Sequence, residues 1–419
     1  MLLRANLSKL IQEQFKTPSP IRQIMKMAER QNIINLGLDP EELISFGGGW
    51  VNHFTPESYR KSYLEICDDK ELFHNSGGYS TTIGELECRR QICNFEKELF
   101  NVLLSEDNVI IGLGSTQLMH DLFITISDPG DSIMLLDPTY PNYFGQIKFT
   151  LKNSKTIFLE GLDKESWTFI PDLNKTIEDF QDLYQAHKPK IILLVSPDNP
   201  TGQIIPQELV EAIMDIIDGM NTFLIIDFAY KSQYFEEQPE YFSWSPSDHS
   251  QLIAMHSNSK WGRGLGRRLG WVEADETVIN GLESTQQCNI LCPDTLHQMA
   301  FAKYVESSLR DNSLKKYIEE SRIKYKKAAE ATCEAIDEYL KMRTLRPQGG
   351  LYTVTDVRKD SDLFVTDVLK NTGVLLVPGK GFGPSLKNGV RISYGPLVEN
   401  TEKITEGIKR IGNYLSHYH

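Results

Sequence analysis

The chain has 419 residues, 40% of them apolar, with 44 basic and 57 acidic side chains and a net charge of −13. That length exceeds one simple core and suits a large and a small domain. The acidic balance disfavours a nucleic-acid or anionic-membrane binder, and no apolar run approaches the roughly 20 residues a membrane helix needs.

Met1 to Leu10 lack the sustained apolar core and cleavage pattern of a secretory leader. The six cysteines, Cys67, Cys88, Cys93, Cys288, Cys292 and Cys333, form no C-x-x-C pair and no metal-ligand cluster. They read as unpaired thiols in a reducing compartment, and so the expectation is a soluble cytoplasmic protein with no structural metal. His417 and His419 read as a tail and not as a metal site.

Along the chain, Phe46-Gly47-Gly48-Gly49-Trp50 comes first, then Tyr79-Ser80-Thr81-Thr82-Ile83-Gly84 with Arg89 following. Short apolar runs over 109–111, 133–136, 156–159, 191–195, 223–226 and 252–255 read as buried strands alternating with amphipathic helices. The pattern is that of an α/β layer with a mainly parallel sheet. Between two of these strands, Pro206 opens a helix whose Leu209, Ile213, Ile216 and Ile217 keep helical spacing, and Gly219 ends it. A long charged helical stretch follows over 309–342. Pro347-Gln348-Gly349-Gly350-Leu351-Tyr352 then opens a shorter mixed section that ends in helix.

Most of the distinctive residues fall just beyond the C-terminal end of a strand, where open α/β sheets bind ligands. Gly114-Ser115-Thr116 opens a helix there, and a helix N-terminus binds phosphate through backbone N–H groups; alone, it reads equally as an ordinary capped turn. Pro138-Thr139-Tyr140-Pro141-Asn142 presents an aromatic ring. Ser196-Pro197-Asp198-Asn199-Pro200-Thr201-Gly202 is a shaped turn carrying an amide. Asp227-Phe228-Ala229-Tyr230 follows the strand over 223–226. Ser257-Asn258-Ser259-Lys260 with Arg268 offers a hydroxyl, an amine and a guanidinium, and an arginine fork suits a phosphate dianion. Arg391 stands in Arg391-Ile392-Ser393-Tyr394 after Gly379 to Phe382.

Each motif is weak by itself. Taken together, in this order and at this spacing, they resemble the class I/II pyridoxal-phosphate aminotransferases of the aspartate aminotransferase-like fold, over about residues 44 to 394. The resemblance implies a large domain with a mainly parallel seven-stranded sheet flanked by helices, over 49–304. It implies a smaller α+β domain over 305–419, joined by an N-terminal arm and first part over 1–48.

The resemblance also implies roles. Lys260 is the Schiff-base lysine and proton shuttle, which needs the depressed pKa that burial and nearby cations provide. Asp227 holds the pyridine nitrogen protonated. Tyr140 stacks on the ring, and Asn199 and Tyr230 donate to its phenolic oxygen. Gly114, Ser115, Thr116, Ser257 and Arg268 cup the phosphate. Arg391 grips the substrate α-carboxylate with a bidentate fork, with Asn199 and a backbone contact from Gly48 or Gly49 beside it. Tyr79 reaches the phosphate site of a neighbouring subunit, which implies a homodimer with shared active sites.

Two departures are visible. Val51 stands where the family often has proline, and Asp198 lies at a variable position. The implied reaction is transfer of an amino group between an L-amino acid and a 2-oxo acid. The same residues also serve elimination, cyclisation or oxidation of a specialised amino acid. A non-catalytic effector module of a transcription regulator is a third reading, but the roughly 20 residues before Ile21 are too few for a helix-turn-helix domain. No residue in the sequence identifies a second arginine for an acidic substrate.

Overall fold

The computed structural model describes residues 7–16 and 20–417. The first six residues, on which part of the leader reading fell, and His419 lie outside them. No helix among the described residues is long and apolar enough to cross a membrane.

Seven strands form the central sheet, in the order Val109–Gly112, Gly270–Glu273, Leu252–Ser257, Phe223–Asp227, Ile191–Val195, Ser132–Asp137, Lys155–Glu160. All pairings between neighbours are parallel except those of Gly270–Glu273, which runs antiparallel to both its neighbours. Ile191–Val195 is buried at every residue, as is expected where helices cover both faces of a sheet. Six of the strands coincide with the apolar runs read from sequence. The seventh, Gly270–Glu273, has only two apolar residues between a glycine and a glutamate and follows a glycine- and arginine-rich loop, so no apolar run marks it.

The helix Gln207–Ile217 starts after Pro206 and buries Leu209, Val210, Ile213 and Ile217. Gly219 follows with φ +67°, a conformation that costs glycine little. The charged stretch over 309–342 is not one helix. It is broken between Thr295–Arg310 and Ser313–Ala335, where Asn312 turns left-handed at φ 61°, and it ends in a π turn, Ile336–Leu340. The Asp311 carboxylate accepts from the Ser313 N–H at 2.9 Å, and asparagine tolerates the left-handed region, so the pair favours that turn.

Beyond residue 340 a three-stranded antiparallel sheet forms, with Gly389–Ser393 between Tyr352–Asp356 and Val377–Pro378. Ile44–Ser45 pairs in parallel with Val374–Leu375, tying the start of the chain to this section. Arg391 therefore sits on a central strand whose register is fixed on both sides.

Behind the large sheet lies a buried cluster of charge. Lys231 Nζ donates to Glu96 Oε2 at 2.7 Å, and His256 lies 3.5 Å from Glu96 and 3.2 Å from Glu273. Different ring nitrogens face the two carboxylates, which fits an imidazole set between them better than three ligands around one ion. Burial pushes both carboxyls up, Glu273 to about 7, and the imidazole down. Lys231 follows Tyr230 in sequence and His256 precedes Ser257, so the cluster anchors two of the loops beyond the strand ends. Lys231→Met strands buried carboxylates without their cation and is expected to cost about 3–5 kcal/mol, read by chemical denaturation. The double variant with Glu96→Gln is expected to recover part of that loss.

Candidate active site

A cavity of about 230 Å³ opens at the C-terminal ends of the central strands. Its lining includes Ser115, Thr116, Tyr140, Asn199, Asp227, Tyr230, Ser257, Lys260, Arg268 and Arg391, together with Gly49. Distant segments of sequence thus converge on one space because each leaves its strand at the same edge of the sheet.

At one end the helix Ser115–Ile126 points its first N–H groups, which lack partners within the helix, toward the cavity. Gly114 precedes it at φ +80°, and a Cβ there would come within 2.5 Å of Arg268 Nη2. Only glycine lets the arginine lie against this turn. Arg268 donates to the carbonyls of Leu265 and Leu113 at 2.7 and 3.2 Å. Ser257 Oγ bonds Ser259 Oγ at 2.7 Å and accepts from the Ser259 N–H. Hydroxyls, helix N–H groups and a guanidinium at one place make an anion cup.

In the middle, Asp227 is 6% exposed at its strand end. Its carboxylate accepts from the Tyr143 hydroxyl at 2.6 Å and the Ala229 N–H at 2.9 Å. Burial pushes its pKa up; those two donors and Lys260 pull the other way. A cationic N–H in the cavity would add to that pull and keep it ionised. The Tyr140 ring stands edge-on to Tyr143, with centroids 5.3 Å apart. Tyr230 and Tyr352 share a hydroxyl–hydroxyl bond of 2.9 Å.

Lys260 Nζ donates to the Gly49 carbonyl. Burial, and then the positive charges of Arg391 and Arg268, lower its ammonium to about 8, against the opposing pull of Asp227. The amine is therefore neutral in a useful fraction near physiological pH, the state that attacks a carbonyl.

At the far end Arg391 is 1% exposed, between the rings of Tyr352 and Phe382 at 4.3 and 5.0 Å. It donates through Nη1 to Asn199 Oδ1 at 3.0 Å and through Nη2 to the Gly47 carbonyl at 3.1 Å. Its Nε finds no partner. A buried guanidinium with an idle N–H is the mark of a site awaiting an anion.

Of the expected residues, Gly48, Gly114 and Tyr79 do not line this cavity, and Tyr79 is expected at a partner subunit's site. Gly48 does not line the cavity, since the Trp50 ring folds onto it so closely that a Cβ would meet the ring at 2.0 Å. The glycine carbonyl that meets Arg391 belongs to Gly47. Tyr79 is 86% exposed and outside the cavity of its own chain. Asp198 is buried and accepts from the Thr201 N–H and hydroxyl at 3.0 and 2.5 Å, so it shapes its turn. Sequence reasoning missed Tyr143, Tyr352 and Ser259. Tyr143 stands three residues after Tyr140, and Tyr352 ends the Gly349-Gly350 turn, so spacing alone hinted at both. A larger open cleft of about 1220 Å³ adjoins the anion cup and shares Thr116 and Arg268 with it, but contains none of Lys260, Asp227 and Arg391.

The family described as aminotransferase class I and II matches residues 41–411. A probable aspartate aminotransferase of Methanocaldococcus jannaschii is 26% identical over 403 residues, covering 94% of this chain and 97% of that protein. Aromatic-amino-acid aminotransferase 2 of Thermococcus litoralis is 25% identical, over 93% and 96%. Among solved structures, a single mutant of Thermus thermophilus aspartate aminotransferase superposes with a TM-score of 0.83 at 22% identity, covering 97% of this chain and all of that one. That last likeness is one of fold.

An amine of pKa about 8 becomes reactive well below the ordinary 10.5. Uptake of pyridoxal phosphate by the stripped protein, followed by visible absorbance, is expected to accelerate with rising pH around a midpoint near 8. A midpoint above 10 would mean the lysine is not depressed.

Proposed function

The chain belongs to the class I and II aminotransferases, pyridoxal-phosphate enzymes that pass an amino group from an amino acid to a 2-oxo acid, and we propose how its residues divide that work. The observation that carries the assignment is the placing of Lys260, Asp227 and Arg391 in one cavity of about 230 Å³. The cofactor, when bound, supplies the electron sink that accepts charge as a bond to the amino acid Cα breaks. The donors described fit it: an anion cup, a carboxylate for a ring nitrogen, and an amine between them.

In this reading Ser115, Thr116, Ser257 and Arg268 hold the phosphate, with Gly114 giving Arg268 its close approach. Asp227 holds the proton on the ring nitrogen, and Tyr143 steadies Asp227. Tyr140 lies on the ring face and keeps water away. Asn199 uses its carbonyl oxygen on Arg391, so its amide N–H groups are the end that serves the ring oxygen, beside Tyr230. Lys260 Nζ would hold the cofactor and would move the proton at the substrate Cα. Arg391 takes the α-carboxylate through Nε and its remaining N–H groups, orienting the bond to be broken. Gly49, at the wall of the cavity, borders the substrate.

Three further points belong to the proposal. The chain divides into a large domain over 49–304 and a small one from 1–48 and 305–419, a division supported by the pairing of Ile44–Ser45 with Val374–Leu375. The enzyme works as a homodimer, in which Tyr79 of the partner subunit reaches the phosphate end through the open cleft beside Thr116 and Arg268; the exposure of Tyr79 supports this. It resides in the cytoplasm, where its free cysteines stay reduced.

Lys260→Ala is expected to abolish turnover, and full activity in that variant would end the assignment. Arg391→Lys loses the fork and should raise KM about thirty-fold, or about 2 kcal/mol, with less effect on kcat. Adding amino acids one at a time to the yellow protein names the donor by bleaching, and a 2-oxo acid should restore the colour. Ammonia or a cyclised product in place of an oxo acid would instead identify the elimination or cyclase chemistry the same residues permit. Lys260→Ala and Tyr79→Ala, each inactive alone, should regain activity on mixing only if subunits share sites, because one site of the mixed dimer then has both residues.

A further inference from the structure

The segment Gly49-Trp50-Val51-Asn52-His53 departs from the family pattern at Val51, and the roles above use only Gly49. It makes three separate contacts with the loop that carries Lys260. The Gly49 carbonyl accepts from Lys260 Nζ. Asn52 Oδ1 accepts from Arg263 Nη2 at 3.0 Å. His53, 3% exposed, places Nε2 3.1 Å from the carbonyl oxygen of Trp261 and Nδ1 2.7 Å from the Tyr325 hydroxyl.

These partners fix the tautomer. A carbonyl oxygen only accepts, so Nε2 carries the hydrogen and Nδ1 accepts from Tyr325. Burial lowers the imidazole to about 4; the Trp261 carbonyl and Glu399 oppose this, while Arg263 and Lys324 add to it. The ring stays neutral, and this one arrangement persists, wherever Lys260 titrates. Tyr317, on the same helix as Tyr325, also donates to the Trp261 carbonyl, at 2.9 Å. The residue immediately after the lysine is thus held through its carbonyl by two side chains, and the Trp261 ring stacks on Phe95 with centroids 5.0 Å apart.

We propose that Asn52 and His53 are positioning residues for Lys260. Asn52 holds the Arg263 side chain and His53 holds the Trp261 carbonyl, so that the amine rests on the Gly49 carbonyl inside the cavity it shares with Asp227 and Arg391. The Gly49 carbonyl holds the free amine. The proposal rests on the reading of Lys260 as the catalytic lysine.

The experiment measures, in the full chain stripped of cofactor, the pH midpoint and rate of pyridoxal phosphate uptake by visible absorbance, and kcat and KM after loading. The groups that set the midpoint are Arg391 and Arg268 on one side and Asp227 on the other. In His53→Ala the loop relaxes away from the two arginines. The midpoint should then rise, and kcat should fall about ten- to hundred-fold while KM changes far less. His53→Gln offers one amide donor to Trp261 and one acceptor to Tyr325, and should restore the midpoint. Asn52→Ala, at an exposed position, should shift it the same way by less.

A His53→Ala protein that is merely less heat-stable, with midpoint and kcat unchanged, overturns the clamp, as does a folded His53→Gln that restores neither. Should His53→Ala fail to fold, an unmoved midpoint in Asn52→Ala overturns it. Failure of the underlying assignment looks different: the unaltered protein would then develop no visible band with pyridoxal phosphate.

Discussion

Everything in the active site turns on keeping one amine close to neutrality. Lys260 is drawn down to about 8 by burial and by Arg391 and Arg268, and held from falling further by Asp227. In the proposed reading those three neighbours bind the other parts of the reaction: substrate carboxylate, phosphate and ring nitrogen. The same charges that capture the ligands therefore tune the lysine. An anion neutralising either arginine raises the amine's proton affinity, so occupancy of the two ends is coupled to the reactivity of the middle.

Much of this was legible in the sequence because the parallel sheet sets where its loops emerge. Six strands announced themselves as apolar runs, and residues just beyond them, such as Ser115, Asn199, Asp227 and Lys260, had to meet at one edge. What stayed hidden lacked periodicity or depended on contacts across the fold. Gly270–Glu273 holds only two apolar residues, between a glycine and a glutamate, and so made no apolar run. The break at Asn312 was masked by the charge continuing on either side of it. Tyr143 serves Asp227 from another segment altogether, and nothing in the residues around either one predicts a 2.6 Å bond between them. Gly47, Gly48 and Gly49 are identical as letters; the fold alone sends the carbonyl of the first to Arg391, covers the second with Trp50 and gives the carbonyl of the third to Lys260.

The supporting structure is polar to an unusual depth. On one side of the strand ends, Lys231, Glu96, His256 and Glu273 tie down the loops of Tyr230 and Ser257. On the other, His53, Tyr317 and Tyr325 hold the loop of Lys260. Buried hydrogen-bonded groups have directional demands that apolar packing lacks, so they fix orientation even where they add little to stability.

The antiparallel strand has a consequence of its own. Because Gly270–Glu273 returns alongside Leu252–Ser257, with Gly270 opposite Ser257, the chain leaves the sheet and re-enters it at almost the same place. Ser257 and Arg268 stand at the two feet of that excursion, and Lys260 lies within it. The feet are anchored by sheet hydrogen bonds, whereas the far tip of the loop carries neither of the two residues proposed to hold the phosphate. Over evolutionary time such a loop can change length or composition at its tip while Ser257 and Arg268 keep their separation, which leaves the surroundings of the amine free to diversify on an unmoved foundation.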